Sequence, residues 1–139
     1  MLLLVPTALV AAGIGYRLVY PRYDGPSLDA AAAWDLVQDN QIVLVDIRRP
    51  DEWQATGTAK GAHRLDLRRP DFIAALSDLV GGDRDRPIAL ICARGVRSAR
   101  MANLLAQNGF SSVINIPEGM LGAADGPGWI ARGLPLAPD

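Results

Sequence analysis

The residues best suited to chemistry lie in one stretch, Ile88–Arg100, with the sequence IALICARGVRSAR. It begins with a predicted buried strand, Ile88–Ile91, which ends at Cys92, the only cysteine of the chain, and a helix is predicted to begin near Arg97. A thiol between the C-terminal end of a strand and a helix N-terminus lies where α/β folds bind ligands. Loop N–H groups can point at one anion there, and the helix dipole favours thiolate over thiol. The stretch therefore predicts a nucleophilic cysteine beside an anion-binding loop.

The loop that follows the cysteine is short and ends in a permanent positive charge. Cys92 and Arg97 are the first and last of six residues, C-A-R-G-V-R, so the planar guanidinium is expected beside the sulfur. We expect these loop residues to bind the substrate: Ala93, Arg94, Gly95, Val96, Arg97 and Ser98.

This loop, C-A-R-G-V-R-S, resembles the active-site loop of rhodanese domains, which is similar to C-x-x-G-x-R-S. The resemblance implies a sulfurtransferase whose cysteine takes sulfane sulfur from a donor such as thiosulfate, holds it as a persulfide and passes it to a nucleophile. It also implies a three-layer α/β/α fold around a central, mostly parallel sheet, with no metal and no organic cofactor. The loop is one residue shorter than the C-x5-R loop of cysteine phosphatases, and a smaller ring of N–H groups suits a sulfur atom better than a phosphate.

Two further segments match the rhodanese pattern near the first predicted strand. Asp46-Ile47-Arg48 resembles the D-x-R that follows the equivalent rhodanese strand, where the acid accepts hydrogen bonds from loop N–H groups. The resemblance therefore gives Asp46 and Arg48 a supporting role and no part in proton transfer. Gly57–Ala62 (GTAKGA) corresponds to the family stretch G-H-I-P-G-A, from which it departs at its second, third and fourth positions.

The end of the chain is similar to the rhodanese end pattern of glycine, tryptophan and then G-x-P with an apolar residue. The matching residues are Gly119, Trp129, Gly133, Pro135 and Leu136. The separation of glycine and tryptophan is longer than in the commonest form, which makes Gly122–Gly128 an inserted loop. This loop either overhangs the site and helps to select the acceptor or is a solvent loop with no role. The resemblance covers Ser27–Leu136.

The remaining pattern alternates strands and helices, which predicts parallel strands with right-handed crossovers. Ser27 is the expected N-cap of the first helix, and Pro50 the first residue of the second. The predicted strands are Ile42–Asp46, His63–Leu67, Ile88–Ile91 and Ser111–Ile116, and the other predicted helices are Leu28–Asp39, Asp71–Val80 and Arg97–Asn108.

Size and composition limit the alternatives. The 139 residues are enough for one domain, and the net charge of −1 gives no field that favours nucleic acid. A single cysteine excludes an intramolecular disulfide and a cysteine-rich zinc site. His63 is the only histidine, and nothing near it resembles the nucleophile elbow of a serine hydrolase, so we expect a surface residue there.

The N-terminus is a separate hydrophobic segment, residues 1–20, joined by a linker, residues 21–26, to the domain at residues 27–139. Its apolar run is slightly short for a membrane helix. We expect an uncleaved hydrophobic helix outside the domain, acting as a membrane tether through residues 2–20; a cleaved signal peptide or a core helix are the alternatives. Arg17 and Arg22 then place the domain on the cytoplasmic side of the inner membrane, and signal cleavage would instead make it periplasmic or secreted.

Three functions remain open at this stage. The first is a sulfurtransferase that takes a small anionic sulfur donor and passes sulfur to a small nucleophile or a protein. The second is a membrane-tethered sulfur-delivery module, in which a partner protein accepts the sulfur and small-molecule turnover is incidental. The third is a cysteine phosphatase or arsenate reductase, against which the loop length and the lack of an obvious general acid argue.

Overall fold

A computed structural model of the chain describes residues 22–138. In chain order its elements are α1 (Ala30–Gln38), β1 (Val43–Asp46), α2 (Pro50–Thr56), β2 (Thr58–Ala59), β3 (His63–Arg64), α3 (Phe72–Leu79), β4 (Ile88–Ile91), α4 (Val96–Gln107), β5 (Val113–Asn115) and β6 (Leu136–Ala137). The hydrophobic N-terminal segment, residues 1–20, and its expected helix lie outside the described residues. Within residues 22–138, no helix has both the length and the apolar character that crossing a membrane requires.

The central sheet has four strands in the order β3-β1-β4-β5, and all of its neighbours are parallel. In this register Asp46, the last residue of β1, lies beside Ile91, the last residue of β4. The two loops that leave these strands therefore begin at the same level of the same sheet edge. The prediction of parallel strands is confirmed, and this edge is where the predicted cysteine loop lies.

Both faces of the sheet are covered, as the continuous apolar strands predict. On one face, Val43 and Val45 of β1 pack with apolar side chains of α3 and α4; on the other, Leu44 packs with α1 and with Trp129. Successive strand residues point to opposite faces, so every residue of β1 and β4 is buried. The three-layer α/β/α architecture is thus confirmed.

The first helix begins later than the sequence predicts. Its N-cap is Asp29, not Ser27, and the Asp29 carboxylate accepts a hydrogen bond from the Ala32 N–H at 2.7 Å. Ser27 forms a parallel bridge with Asn115 of β5 instead, so the backbone around it extends the sheet. The Leu28 N–H donates to the Asn115 carbonyl at 3.0 Å, and the backbone is still extended at Asp29, so the helix begins only after Asp29, which caps it.

A small second sheet joins the middle of the chain to its end. Thr58 and Ala59 of β2 pair antiparallel with Leu136 and Ala137 of β6. This pairing occurs in the stretch that departs from the family pattern G-H-I-P-G-A, and sequence periodicity did not predict it. It fixes the end of the chain beside α2 and buries the Thr58 side chain, which contributes to the polar network described below.

Candidate active site

Cys92 directly follows β4 and is almost fully buried, with 1% of its surface exposed. The Gly95 N–H donates a hydrogen bond to its sulfur at 3.1 Å. The thiol in turn donates to the Ser98 hydroxyl oxygen at 3.4 Å, and that hydroxyl donates to the Gly95 carbonyl at 3.1 Å. The loop thus closes around the sulfur with one backbone donor and one hydroxyl group, both buried.

The bend that brings the Gly95 N–H to the sulfur depends on glycine. Gly95 has a φ of 85°, in the left-handed region, and a Cβ atom there would lie 2.1 Å from the Pro117 carbonyl oxygen. Other residues avoid this conformation, and here the neighbouring backbone also leaves no room for a side chain. The glycine therefore sets both the loop geometry and its packing against the segment that follows β5.

Gly95 is also the N-cap of α4, and no side chain caps this end. The Ala99 N–H donates to the Gly95 carbonyl at 3.1 Å and makes the first hydrogen bond of the helix. The N–H groups of Val96, Arg97 and Ser98 precede it and have no acceptor within the helix. The positive end of the helix therefore presents unfilled donors beside the buried sulfur, as an anion site requires.

Arg97 lies at the predicted loop position, but its fork binds a carboxylate of the protein. Its two terminal nitrogens donate to the two oxygens of Glu52 on α2 at 2.8 and 2.7 Å. The hydrogen bond with Arg97 is the main cause that lowers the pKa of Glu52 to about 2, against the opposing effect of burial. The same hydrogen bond is the main cause that raises the pKa of Arg97. Arg97 is therefore an ion-paired charge near the sulfur.

Asp46 and Arg48 form a buried ion pair under the loop after β1. Their side chains are 0% and 1% exposed, and the closest atoms, Arg48 Nη2 and Asp46 Oδ2, are 2.8 Å apart. Asp46 also accepts hydrogen bonds from the Arg48 N–H at 3.1 Å and from the Thr58 hydroxyl at 2.6 Å. Arg48 also donates hydrogen bonds to the Thr56 hydroxyl and the Gly57 carbonyl, so the pair links β1 to α2 and β2. The predicted position of Asp46 as an acceptor of a loop N–H group agrees with these contacts.

Arg94 points away from the sulfur toward the inserted loop. Its Nη1 donates to the Gly122 carbonyl at 3.0 Å. The backbone of the segment before Gly122 runs along the cysteine loop, because the Met120 N–H donates to the Cys92 carbonyl at 2.8 Å and the Leu121 N–H to the Ala93 carbonyl at 2.9 Å. The inserted loop is therefore anchored beside the site through its first residues.

The most heavily bonded residue that the sequence analysis missed is Glu118, which is fully buried. It accepts hydrogen bonds from the Ala30 N–H at 2.7 Å, the Gly128 N–H at 2.6 Å and Arg132 at 3.0 Å. Burial alone would raise the pKa of Glu118, but these donors outweigh it and the pKa is lowered. No local pattern could reveal this role, since Ala30 lies 88 residues away.

The partner of the loop arginine Arg97 could not be predicted from the sequence either. This partner is Glu52, an acid in the first turn of α2. Its carboxylate caps that helix, since it accepts the Arg49 N–H at 2.9 Å. Its second contact, with Arg97, joins residues 45 positions apart and follows only from the alignment of β1 and β4.

Comparison with known families and structures agrees with this architecture. The sequence model of the rhodanese-like domain family matches residues 29–124, a range that covers most of the chain and includes the cysteine loop. The chain belongs to the rhodanese-like family. The resemblance inferred from the loop sequence is thereby confirmed at the level of the family.

Among the relatives, the thiosulfate sulfurtransferase GlpE of Actinobacillus succinogenes is 26% identical over 104 residues, covering 75% of this chain and 83% of that protein. The tRNA uridine(34) hydroxylase of Deinococcus radiodurans is 35% identical over 106 residues, but the chain spans only 35% of its length. The polysulfide-sulfur transferase homodimer of Wolinella succinogenes has a similar structure, with a TM-score of 0.69, 26% identity and coverage of 94% and 89% of the two chains. The family domain thus occurs both in sulfurtransferases and in a longer RNA-modifying enzyme.

Proposed function

We propose that this protein is a sulfurtransferase in which Cys92 carries sulfane sulfur as a persulfide. The observation that carries the proposal is the sulfur itself, buried at the N-terminus of α4 and bonded by the Gly95 N–H at 3.1 Å. An anionic sulfur at this position is stabilised by a directed donor and by the helix dipole. Relatives described as thiosulfate and polysulfide-sulfur transferases support the same chemistry.

In the first half of the cycle, the Cys92 thiolate attacks the outer sulfur of a sulfane donor. With thiosulfate, a new bond joins the two sulfur atoms, the sulfur–sulfur bond of the donor breaks, and its electron pair leaves with sulfite. The charge of the thiolate moves to the outer sulfur of the persulfide. The N–H groups of Val96, Arg97 and Ser98, which have no helical acceptor, are the donors that can stabilise it there.

In the second half, an acceptor nucleophile attacks the outer sulfur of the persulfide. The sulfur–sulfur bond breaks, its electron pair returns to the Cys92 sulfur, and the thiolate is regenerated. This is double displacement with a covalent intermediate. The Ser98 hydroxyl, 3.4 Å from the sulfur, can turn its hydrogen toward the thiolate in both halves of the cycle.

The loop sequence predicts that Arg97 binds the anionic sulfur donor directly, but its contacts in the structure give it a different role. Because both of its terminal nitrogens are bonded to Glu52, it acts on the donor as a nearby charge and not as a free fork. Direct binding of the donor by Arg97 requires that the donor displaces Glu52.

Steady-state sulfite release tests the proposal. We expect the full chain to release sulfite from thiosulfate when cyanide is present as the acceptor, and Cys92→Ala to release none above background. The variant is a clean control because Cys92 is the only thiol of the chain. Polysulfide is the second donor; it leaves as a shorter polysulfide and releases no sulfite, so its turnover is measured as the thiocyanate formed from cyanide. Equal turnover by Cys92→Ala would contradict the proposed function.

A further inference from the structure

The carboxylate of Glu52 occupies the position on Arg97 that an anionic sulfur donor would need. The two residues form a bidentate pair with distances of 2.8 and 2.7 Å between guanidinium nitrogens and carboxylate oxygens. Both side chains are partly shielded from water, with 28% of Arg97 and 19% of Glu52 exposed. Bidentate pairs of this kind are among the strongest that arginine makes, so an anion that displaces Glu52 must bind Arg97 at least as strongly.

Two other arginines, which follow β1, are also balanced by carboxylates. Arg48 is paired with Asp46 in the interior, and Arg49 is paired with Asp51 at the surface.

Arg94 of the cysteine loop donates to backbone carbonyl groups of the segment around Gly122, so its hydrogen bonds are directed to the inserted loop. The site offers an anionic sulfur donor the N–H groups of α4 and the helix dipole. The Glu52 carboxylate neutralises the Arg97 guanidinium, which a second negative charge on the donor would otherwise use.

We propose that Glu52 determines donor specificity: by engaging Arg97 it favours monoanionic sulfane donors, such as thiosulfonates, over dianionic thiosulfate. This inference rests on the proposed function of Cys92 and adds the charge class of its donor. The reaction is the same with either donor. A thiosulfonate transfers its outer sulfur to the Cys92 thiolate and leaves as a sulfinate, just as thiosulfate leaves as sulfite.

The physical reason is the interaction of the second donor charge with Glu52. The carboxylate that is paired with Arg97 repels a dianionic donor more than a monoanionic one, and it also cancels the attraction of Arg97. Because the pKa of Glu52 is lowered to about 2, its charge persists throughout the pH range of an enzyme assay. The preference should therefore not change between mildly acidic and mildly alkaline buffer.

Two donors that differ by one charge provide the test. Sodium thiosulfate and sodium methanethiosulfonate present the same outer sulfur, and a methyl group in the second replaces one charged oxygen of the first. We would measure kcat/KM for both donors with the full wild-type chain and with Glu52→Gln, in low-salt buffer. Glutamine keeps one acceptor oxygen for the Arg49 N–H, so α2 keeps its cap, and it removes both the charge and one of the two acceptors of Arg97.

Removal of the Glu52 charge should raise the ratio of kcat/KM for thiosulfate to that for methanethiosulfonate by about threefold to tenfold, as expected for one unit charge at close range in partly exposed surroundings. The matched control is Asp51→Asn, which removes the same charge one residue away but contacts Arg49 instead of Arg97. Its ratio should change by less than about twofold.

Glu52→Asp separates charge from geometry, because it shortens the side chain and keeps the carboxylate. Its ratio should stay within about twofold of wild type. An unchanged or lower ratio in Glu52→Gln, or an equal rise in Glu52→Asp, would overturn the inference while leaving the persulfide cycle intact. If wild type forms no persulfide from either donor, the proposed function fails instead. Thermal unfolding of each variant verifies that it is folded.

Discussion

The two loops that leave β1 and β4 begin side by side at one sheet edge and have opposite character. In the closed junction, residues 46–52, the acid at the end of β1 binds the arginine two residues later, and Glu52 caps α2 through the Arg49 N–H. In the open junction, residues 92–98, a thiol follows β4 and α4 begins at a left-handed glycine with no side-chain cap. One junction satisfies its polar groups internally; the other keeps donors for a ligand.

The two strand-loop-helix units therefore have different roles: the unit of β1 and α2 supports the structure, and the unit of β4 and α4 carries the reactive thiol. Pro50 at the start of α2 has no N–H group, and Glu52 fills another donor, so this helix end has little capacity for an anion. The open junction has neither a proline nor a cap. The Arg97–Glu52 ion pair joins the two junctions, and it neutralises the guanidinium charge of the open junction.

Removing the charge of Asp46 should break the closed junction. Asp46→Asn leaves the Arg48 guanidinium buried without a counterion, which costs about 3–5 kcal/mol of unfolding free energy. The measurement is urea unfolding of the variant against wild type. Sulfur transfer by the folded fraction should be less affected than stability, because the direct partners of Asp46 are Arg48 and Thr58.

The chain contains a matched control for that variant. Asp66 and Arg68 form the same D-x-R pair, with the Arg68 N–H and guanidinium both donating to Asp66, but 60% of the Arg68 side chain is exposed. Asp66→Asn should therefore cost less than about 1 kcal/mol. Similar losses in the two variants would refute the claim that burial makes the closed junction important for stability.

Gly95→Ala should disrupt the open junction. The new Cβ would lie 2.1 Å from the Pro117 oxygen, so the loop must shift and the Gly95 N–H must leave the sulfur. Since a displacement of about 1 Å can reduce catalysis by roughly 100-fold, we expect a loss of that order in kcat/KM for sulfur transfer. Full activity in this variant would mean that the loop geometry is not needed.

Gly109→Ala is its control. Gly109 has nearly the same φ, 83°, but no atom of residues 22–138 outside its own chain neighbours lies within 4 Å of a Cβ placed there. Only the backbone strain remains, about 1–2 kcal/mol of stability, and sulfur transfer should be unchanged. The pair separates the effect of the left-handed conformation itself from the effect of contact with the Pro117 backbone.

Ser98→Ala tests the hydroxyl contact to the sulfur. It removes a buried hydrogen-bonding group 3.4 Å from the thiol and leaves the Gly95 N–H in place. Loss of one such contact corresponds to about 1–1.5 kcal/mol, or roughly a tenfold lower kcat/KM. A rate equal to that of wild type would mean that the backbone N–H groups, and not the Ser98 hydroxyl, stabilise the anionic sulfur.

The Arg97–Glu52 pair should make stability depend on acid pH. The pKa of Glu52 is lowered from 4.5 to about 2 on folding, so its contribution is complete above pH 4.5 and is lost as the pH falls toward 2. Wild type should exceed Glu52→Gln in stability by roughly 1–2 kcal/mol near neutral pH, and the gap should close in acid. A gap that is constant with pH would exclude the carboxylate charge as its cause.

The sequence was sufficient to predict those features that depend on neighbouring residues. The apolar runs before Asp46 and Cys92 predicted the two central strands, and Pro50 predicted the start of α2. The loop from Cys92 to Ser98 predicted a cysteine at a helix N-terminus, because all of its members lie within seven residues. Substrate binding by Ala93, Arg94, Gly95, Val96, Arg97 and Ser98 remains a prediction.

The features that the sequence could not reveal depend on residues far apart in the chain. Ser27 has the right residue type for a cap, but pairing with β5 takes its backbone, and Asp29 replaces it. Glu52 and Glu118 are surface-like in local sequence, and only the fold brings each to an arginine. Residue types in the sequence thus indicated where the reactive thiol lies, whereas the ion pairs around it could be identified only from the tertiary structure.

The most direct test of the central claim is the intact mass of the full chain after incubation with thiosulfate or methanethiosulfonate. Wild type should gain one sulfur atom, cyanide should remove it, and Cys92→Ala should gain none. Comparing the two donors in the same experiment also shows which charge class loads the thiol more readily. No gain with either donor, or an equal gain in Cys92→Ala, would contradict a persulfide on Cys92.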